Sequence, residues 1–123
     1  MSAQDSFHSS FFLIEREGDF PVAVIQRPQL SEEDNLEEFG FDLANLVDKL
    51  NMNRLVLDLS RVKYITSAAI GRLIAFHRRL NRDKGTLVLC HVTGTVREIL
   101  SASQLLSYFH VADGREAAIS QLA

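Results

Sequence analysis

Residues 54–59 read Arg-Leu-Val-Leu-Asp-Leu, a short and nearly unbroken apolar run. Side chains alternate between the two faces of a strand, so a run that is apolar at successive positions demands cover on both faces. That requirement makes 54–59 a central strand of a sheet with helices packed on it. Thr86 to Val92 has the same character. Between the two, Ile70, Leu73, Ile74, His77 and Leu80 recur at helical spacing, which predicts a helix from Ser67 to Arg82 with Gly85 as its stop.

The alternation extends in both directions. Phe11 to Glu15 and Phe20 to Gln26 are runs of aromatic and β-branched residues joined through Glu17-Gly18-Asp19, the pattern of an antiparallel hairpin. Pro28 ends the second run, and Ser31-Glu32-Glu33-Asp34 offers a hydroxyl cap and first-turn carboxylates for a helix that starts there. Leu36, Phe39, Leu43, Leu46, Val47 and Leu50 share one face of that helix, and Ser60 to Ile65 reads as a connector. A short helix from Thr95 to Ser103, a strand from Tyr108 to Val111 and a terminal helix from Arg115 to Leu122 follow. With right-handed crossovers this order gives one α/β domain, a mixed and mostly parallel sheet with an N-terminal hairpin and about four helices packed on it. The polar, Ser-rich residues 1–9 are expected to form a flexible tail ahead of a domain spanning 10–123.

Composition removes whole classes of function. The 123 residues suffice for one core, and 46% hydrophobic with 24% charged residues describes an ordinary globular chain. A net charge of −3 argues against global attraction to nucleic acid or anionic lipid. Cys90 is the single cysteine and closes no internal disulfide, while His8, His77, His91 and His110 stand singly, so spacing offers no zinc set and no metal or other cofactor is expected. No run approaches the roughly eighteen apolar residues of a membrane span, and the N-terminus lacks the basic-then-apolar layout of a secretory signal. The expected setting is cytoplasmic.

Enzyme motifs are absent: there is no Walker A loop, no GxGxxG after a strand, no HExxH and no GxSxG elbow. A phospho-receiver is disfavoured as well, since Asp58 matches only one part of its acidic set and no Lys follows Lys84. His77, on the apolar face of its helix, reads as a packed structural histidine. Cys90 and His91, adjacent in an extended strand, should point to opposite faces, which argues against a catalytic dyad.

Tyr64-Ile65-Thr66-Ser67-Ala68-Ala69-Ile70-Gly71 brings two hydroxyls to the start of a helix. Either can cap, accepting a bond from an early helical N–H at a benefit of about 1 kcal/mol. Either can also be a phosphorylation site, because the unpaired N–H groups and the dipole of a helix N-terminus receive a phosphate. Spacing alone does not choose between Thr66 and Ser67.

The stretch Val56-Leu57-Asp58-Leu59-Ser60-Arg61-Val62-Lys63-Tyr64-Ile65-Thr66-Ser67-Ala68-Ala69-Ile70-Gly71-Arg72-Leu73 resembles the strand, loop and helix of STAS domains, the family of bacterial anti-sigma factor antagonists. The resemblance continues through 85–92, 96–100, 105–109 and 116–118, covering residues 54 to 120 with consistent spacing. The family loop usually reads Asp-Ser-Ser/Thr-Gly-Leu-Gly, with its first Ser phosphorylated by the kinase activity of the anti-sigma factor. Carried over, the phosphoacceptor falls on Ser67, with Thr66 the alternative. Thr66 replaces the usual Asp, Ala68 the second hydroxyl and Ala69 the Gly, and Ser103-Gln104-Leu105 replaces a common Thr-Gly-Leu.

The resemblance implies a non-enzymatic partner switch, a monomer or weak homodimer that binds an anti-sigma, serine kinase-like protein through Ile65, Thr66, Ser67, Ala68, Ala69, Ile70 and Arg72. Phosphorylation would release it. The rival reading is a phosphorylation-independent scaffold or transporter-associated subunit. Arg72, Arg79 and Arg82 lie opposite the apolar stripe of the second helix, as a solvated face or an interface.

Overall fold

The apolar run at Arg54–Asp58 forms β4, the middle strand of a five-stranded sheet, in a computed structural model that describes residues 9–31 and 35–123. Around it the chain forms β1 (Phe12–Glu17), β2 (Phe20–Ile25), β3 (Gln29–Leu30), α1 (Leu36–Asp48), β5 (Tyr64–Ile65), α2 (Ser67–Arg82), β6 (Thr86–Cys90), α3 (Gly94–Ala102), β7 (His110–Ala112) and α4 (Arg115–Leu122). The strand order is β1-β2-β4-β6-β7, with β1 antiparallel to β2 and the remaining neighbours parallel. The hairpin closes at Gly18-Asp19, where Gly18 takes a φ of 60°. In register, Val24, Asp58, Cys90 and Ala112 line up at the carboxyl ends of the parallel strands.

Both faces of the sheet are covered, as the apolar run requires. Ala23, Ile25, Leu55, Leu57, Leu87 and Leu89 face the larger core, filled by Phe39, Leu43 and Leu46 of α1 and by Leu73, Phe76 and Leu80 of α2. Val22, Val24, Val56, Val88 and Cys90 face a thinner one closed by Ala118 and Leu122 of α4. Burying each such Leu or Val fully stabilises by about 1.5–3 kcal/mol. Arg79 of α2 pairs with Asp48 at the end of α1, tying the two helices at the surface. Among the described residues no helix is long and apolar enough to cross a membrane.

The structure revises several expectations. A second, two-stranded sheet pairs β3 with β5 in parallel: β3 lies just ahead of the segment read as a helix start, and β5 inside the one read as a connector. Ser31 is buried behind β3, and the cap of α1 is Asn35, whose side chain accepts from Glu38 N–H with φ at 58°. The carboxylates of the first turn are Glu37 and Glu38, and the Glu32-Glu33-Asp34 run expected there lies outside the described residues. Residues 1–8 of the expected tail also lie outside them, but Ser9 is anchored: its hydroxyl donates to Asp42 at 2.5 Å and accepts from the N–H groups of Phe11 and Phe12.

The stop of α2 is shared differently from the sequence expectation. Lys84 takes the left-handed turn with φ at 64°, its N–H bonding Asn81 O while Gly85 N–H bonds Leu80 O. These two bonds satisfy the last carbonyls of the helix in a Schellman arrangement. Gly85 serves close approach instead, because a Cβ there would lie 2.1 Å from the Asn53 carbonyl oxygen that also pairs with Thr86 N–H.

Two substitutions separate these roles. Gly85→Ala drives a methyl into fixed backbone and is expected to cost about 1–3 kcal/mol. Lys84→Gly relieves the left-handed turn and is expected to stabilise by up to about 1 kcal/mol. Urea unfolding of the two variants measures both signs.

Candidate functional site

The loop entering α2 is held by backbone bonds before any side chain acts. Lys63 and Tyr64 N–H both donate to Pro28 O, at 2.7 and 3.2 Å, and Thr66 N–H donates to Leu30 O at 3.0 Å. Thr66 is extended and caps the helix, its Oγ1 accepting from Ala69 N–H at 3.4 Å while its carbonyl accepts from Ile70 N–H at 2.9 Å. Ser67 is the first residue of α2 and is exposed. The choice that spacing left open is thereby divided: Thr66 commits its oxygen to the cap, and Ser67 presents its hydroxyl to solvent.

Burial sorts the expected contact residues into two groups. Ser67, Ala68 and Arg72 are exposed and Thr66 is half-buried, whereas Ile65, Ala69 and Ile70 have 1%, 0% and 6% of their surface accessible. The latter three are core residues that shape the loop from beneath and offer no side chain to a partner. Ala69 lies within regular helix without a positive φ, so the glycine usual at this place in the resembling family is not needed for backbone freedom here. By contrast, Gln104 takes a φ of 61° at the end of α3, the conformation that explains a glycine in the common Thr-Gly-Leu.

Sequence reasoning missed other exposed residues next to the loop. Tyr64 is 45% accessible, and Arg61 and Lys63 are exposed in the preceding turn. None of Arg61, Lys63 and Arg72 has an ion pair among the described residues. Arg72 lies across α1 instead, its Nη1 3.2 Å from where a Cβ on Gly40 would stand. The connector's basic residues were the available signal, but without β5 nothing tied them to the loop.

A second cluster sits at the carboxyl ends of β4 and β6. Asp58 is buried, with Oδ1 accepting from Ser60 N–H at 2.8 Å and Oδ2 from Arg115 Nε at 3.1 Å. Arg115 also donates to Glu15 Oε1 at 2.6 Å, so α4, β4 and β1 meet through one guanidinium. Burial pushes the Asp58 carboxyl up, but the bonds from Ser60 and Arg115 outweigh it and hold the group below the usual carboxylate range. Burial and the Asp58 charge push the Cys90 thiol up to about 12, so it is no nucleophile.

The expectation that Cys90 and His91 point to opposite faces fails. The strand ends at Cys90, and His91 takes a φ of 56°, which turns its ring back so that donor atoms of Asp58, Cys90 and His91 all lie within 4.8 Å of one another. No spacing rule finds this set, because it is assembled across two strands. His77, in contrast, is packed as expected, with Nε2 3.1 Å from Asn81 Nδ2 and the rings of Tyr108, Phe109 and His110 around it. Its Nδ1 is buried and has no hydrogen-bond partner among the described residues. Burial, then the neighbouring His110, lowers its basicity.

Comparison with known proteins bears on the family and the fold. The family model for the STAS domain matches residues 25–118. BtrV of Bordetella bronchiseptica, named as a candidate anti-sigma factor antagonist, is 43% identical over 84 residues, which cover 68% of this chain and 72% of that protein. Among solved structures, an anti-sigma-factor antagonist (STAS) domain protein from Planctomyces limnophilus superposes with a TM-score of 0.72 at 20% identity, covering 91% of this chain and 98% of the other. The Bacillus cell fate determinant SpoIIAA in its phosphorylated form gives 0.64 at 18% identity, covering 91% and 99%. At these identities the structures establish a shared fold.

Thr66→Ala is expected to cost about 1 kcal/mol through loss of the cap, while Ser67→Ala stays within about 0.5 kcal/mol of the parent. Equal effects in urea unfolding would contradict the division of the two hydroxyls. His77, its folded pKa depressed, leaves stability intact above the ordinary histidine value and removes it as pH falls below, where the unfolded chain takes up the proton first. The urea midpoint is therefore expected to drop between pH 7 and pH 5, and His77→Leu to flatten that drop.

Proposed function

This chain belongs to the STAS domain family, and on that premise we propose that it is an anti-sigma factor antagonist that works by partner switching in the bacterial cytoplasm, as a monomer or weak homodimer. Unmodified, it docks on an anti-sigma factor with serine kinase activity through the loop before α2 and the first turns of that helix. Phosphorylation of Ser67 releases it.

The observation that carries this reading is the exposed Ser67 hydroxyl at the first position of α2, beside a threonine already committed to the cap. A phosphate there meets helix N–H groups and the positive end of the dipole, so the fold tolerates it. The backbone bonds to Pro28 and Leu30 keep the loop in place, which makes the effect one of surface charge. Arg61, Lys63 and Arg72 give that surface a basic character suited to an acidic partner face. A phosphate brings about −2 charge, cancels much of that attraction and adds a desolvation cost at the contact.

The departures Thr66 and Ala68 favour the second reading, a scaffold or transporter-associated subunit that uses the same surface without modification. Intact mass and peptide mapping across 62–72, on protein from its native host under growth and stress, separate the two. Phosphate on Ser67 is the expected result. With the partner anti-sigma factor and ATP, Ser67→Ala is expected to stay bound and Ser67→Asp to bind at least about tenfold more weakly. An unmodified protein in every condition, or variants that bind and release like the parent, would overturn the switch.

A further inference from the structure

We propose that Asp58, Cys90 and His91 form a binding site for a thiophilic divalent cation, zinc above all, at the carboxyl ends of β4 and β6. The three offer a carboxylate oxygen, a sulfur and an imidazole nitrogen, all within 4.8 Å of one another. Zinc holds such donors at about 2.0–2.3 Å, which sets them between 3 and 4 Å apart in a tetrahedral site. The remaining closure falls to the His91 side chain, which is half-buried and the one free to adjust, since Asp58 and Cys90 are paired in register. Sulfur with imidazole selects zinc or cobalt over magnesium or calcium.

The surroundings fit a metal in two ways. His91 holds a left-handed backbone that is unfavourable for a residue with a Cβ, and this conformation is what aims its ring at the other two groups. Arg115 and the Ser60 N–H fix the Asp58 carboxylate, whose two oxygens keep further lone pairs for a metal.

Charge also closes. A dication with the Asp58 carboxylate and the Cys90 thiolate is neutral, and Arg115 then remains balanced by Glu15. Binding forms a bond from metal to Cys90 Sγ and releases the thiol proton to solvent. With three protein donors the fourth position is left to water on the half-exposed side of His91. The inference is independent of whether Ser67 is phosphorylated.

The test uses the full chain, freed of metal by chelator, titrated with Co²⁺ alone and then with Zn²⁺. Expected are uptake of one equivalent of cobalt with a thiolate-to-cobalt charge-transfer band in the near ultraviolet, and loss of that band on adding equimolar zinc. Cys90→Ser should abolish the band, and His91→Gly, compatible with the left-handed backbone, should weaken zinc binding by about tenfold or more with circular dichroism unchanged. If Cys90→Ser does not fold, His91→Gly decides alone. No band with the parent chain, or zinc binding undiminished in His91→Gly, overturns the site and assigns any uptake to other histidines.

Discussion

Every side chain of β4 after Arg54 is withdrawn from water, and the arrangement of the molecule follows from keeping it so. The parallel strands progress in one direction from β2 through β4 and β6 to β7, and right-handed crossovers then place the intervening helices on a single face. That face is the larger core, which takes in α1, α2 and, through Val96 and Leu100, α3. The opposite face would be left wet but for the last helix. The terminal α4 is thus structural cover, and its Arg115 doubles as the partner of a carboxylate buried at the end of β4.

The loop before α2 depends on a smaller constraint. Two residues of β3 and two of β5 form a ladder too short to stand alone, stabilised because Leu30 and Ile65 are both buried. The ladder carries the chain into α2 with the Thr66 N–H already paired, so the extended geometry of a cap is imposed before its side chain contributes. Threonine at this position keeps the capping acceptor of the family's usual aspartate and drops its charge. A phosphate on the next residue would therefore meet less repulsion here than beside a carboxylate.

The central strands and the first three helices were legible because each repeats apolar residues at its own period over several positions, whereas α4 buries only Ala118 and Leu122 and carries no such stripe. The short ladder was not, since two residues carry no period, and the cap of α1, read at Ser31, lies at Asn35. Left-handed positions were hidden for a related reason: Asn35, Asn51, Lys84, His91 and Gln104 all hold positive φ without being glycine. Where a stop was read from Gly85, the turn was made by Lys84 and the glycine answered to the Asn53 backbone. At the candidate loop, the sequence did not separate Ile65, Ala69 and Ile70, which are buried, from the exposed Ser67, Ala68 and Arg72; only three-dimensional packing does.

The two outer strands of the main sheet have a consequence of their own. β7 has only three residues, and β1, an outer strand among the described residues, carries Glu15, Arg16 and Glu17 in succession. An open edge is a template on which another chain can add a strand, and brevity at one end with charge at the other withdraws that template. The main sheet is thereby guarded against edge-to-edge aggregation at both ends.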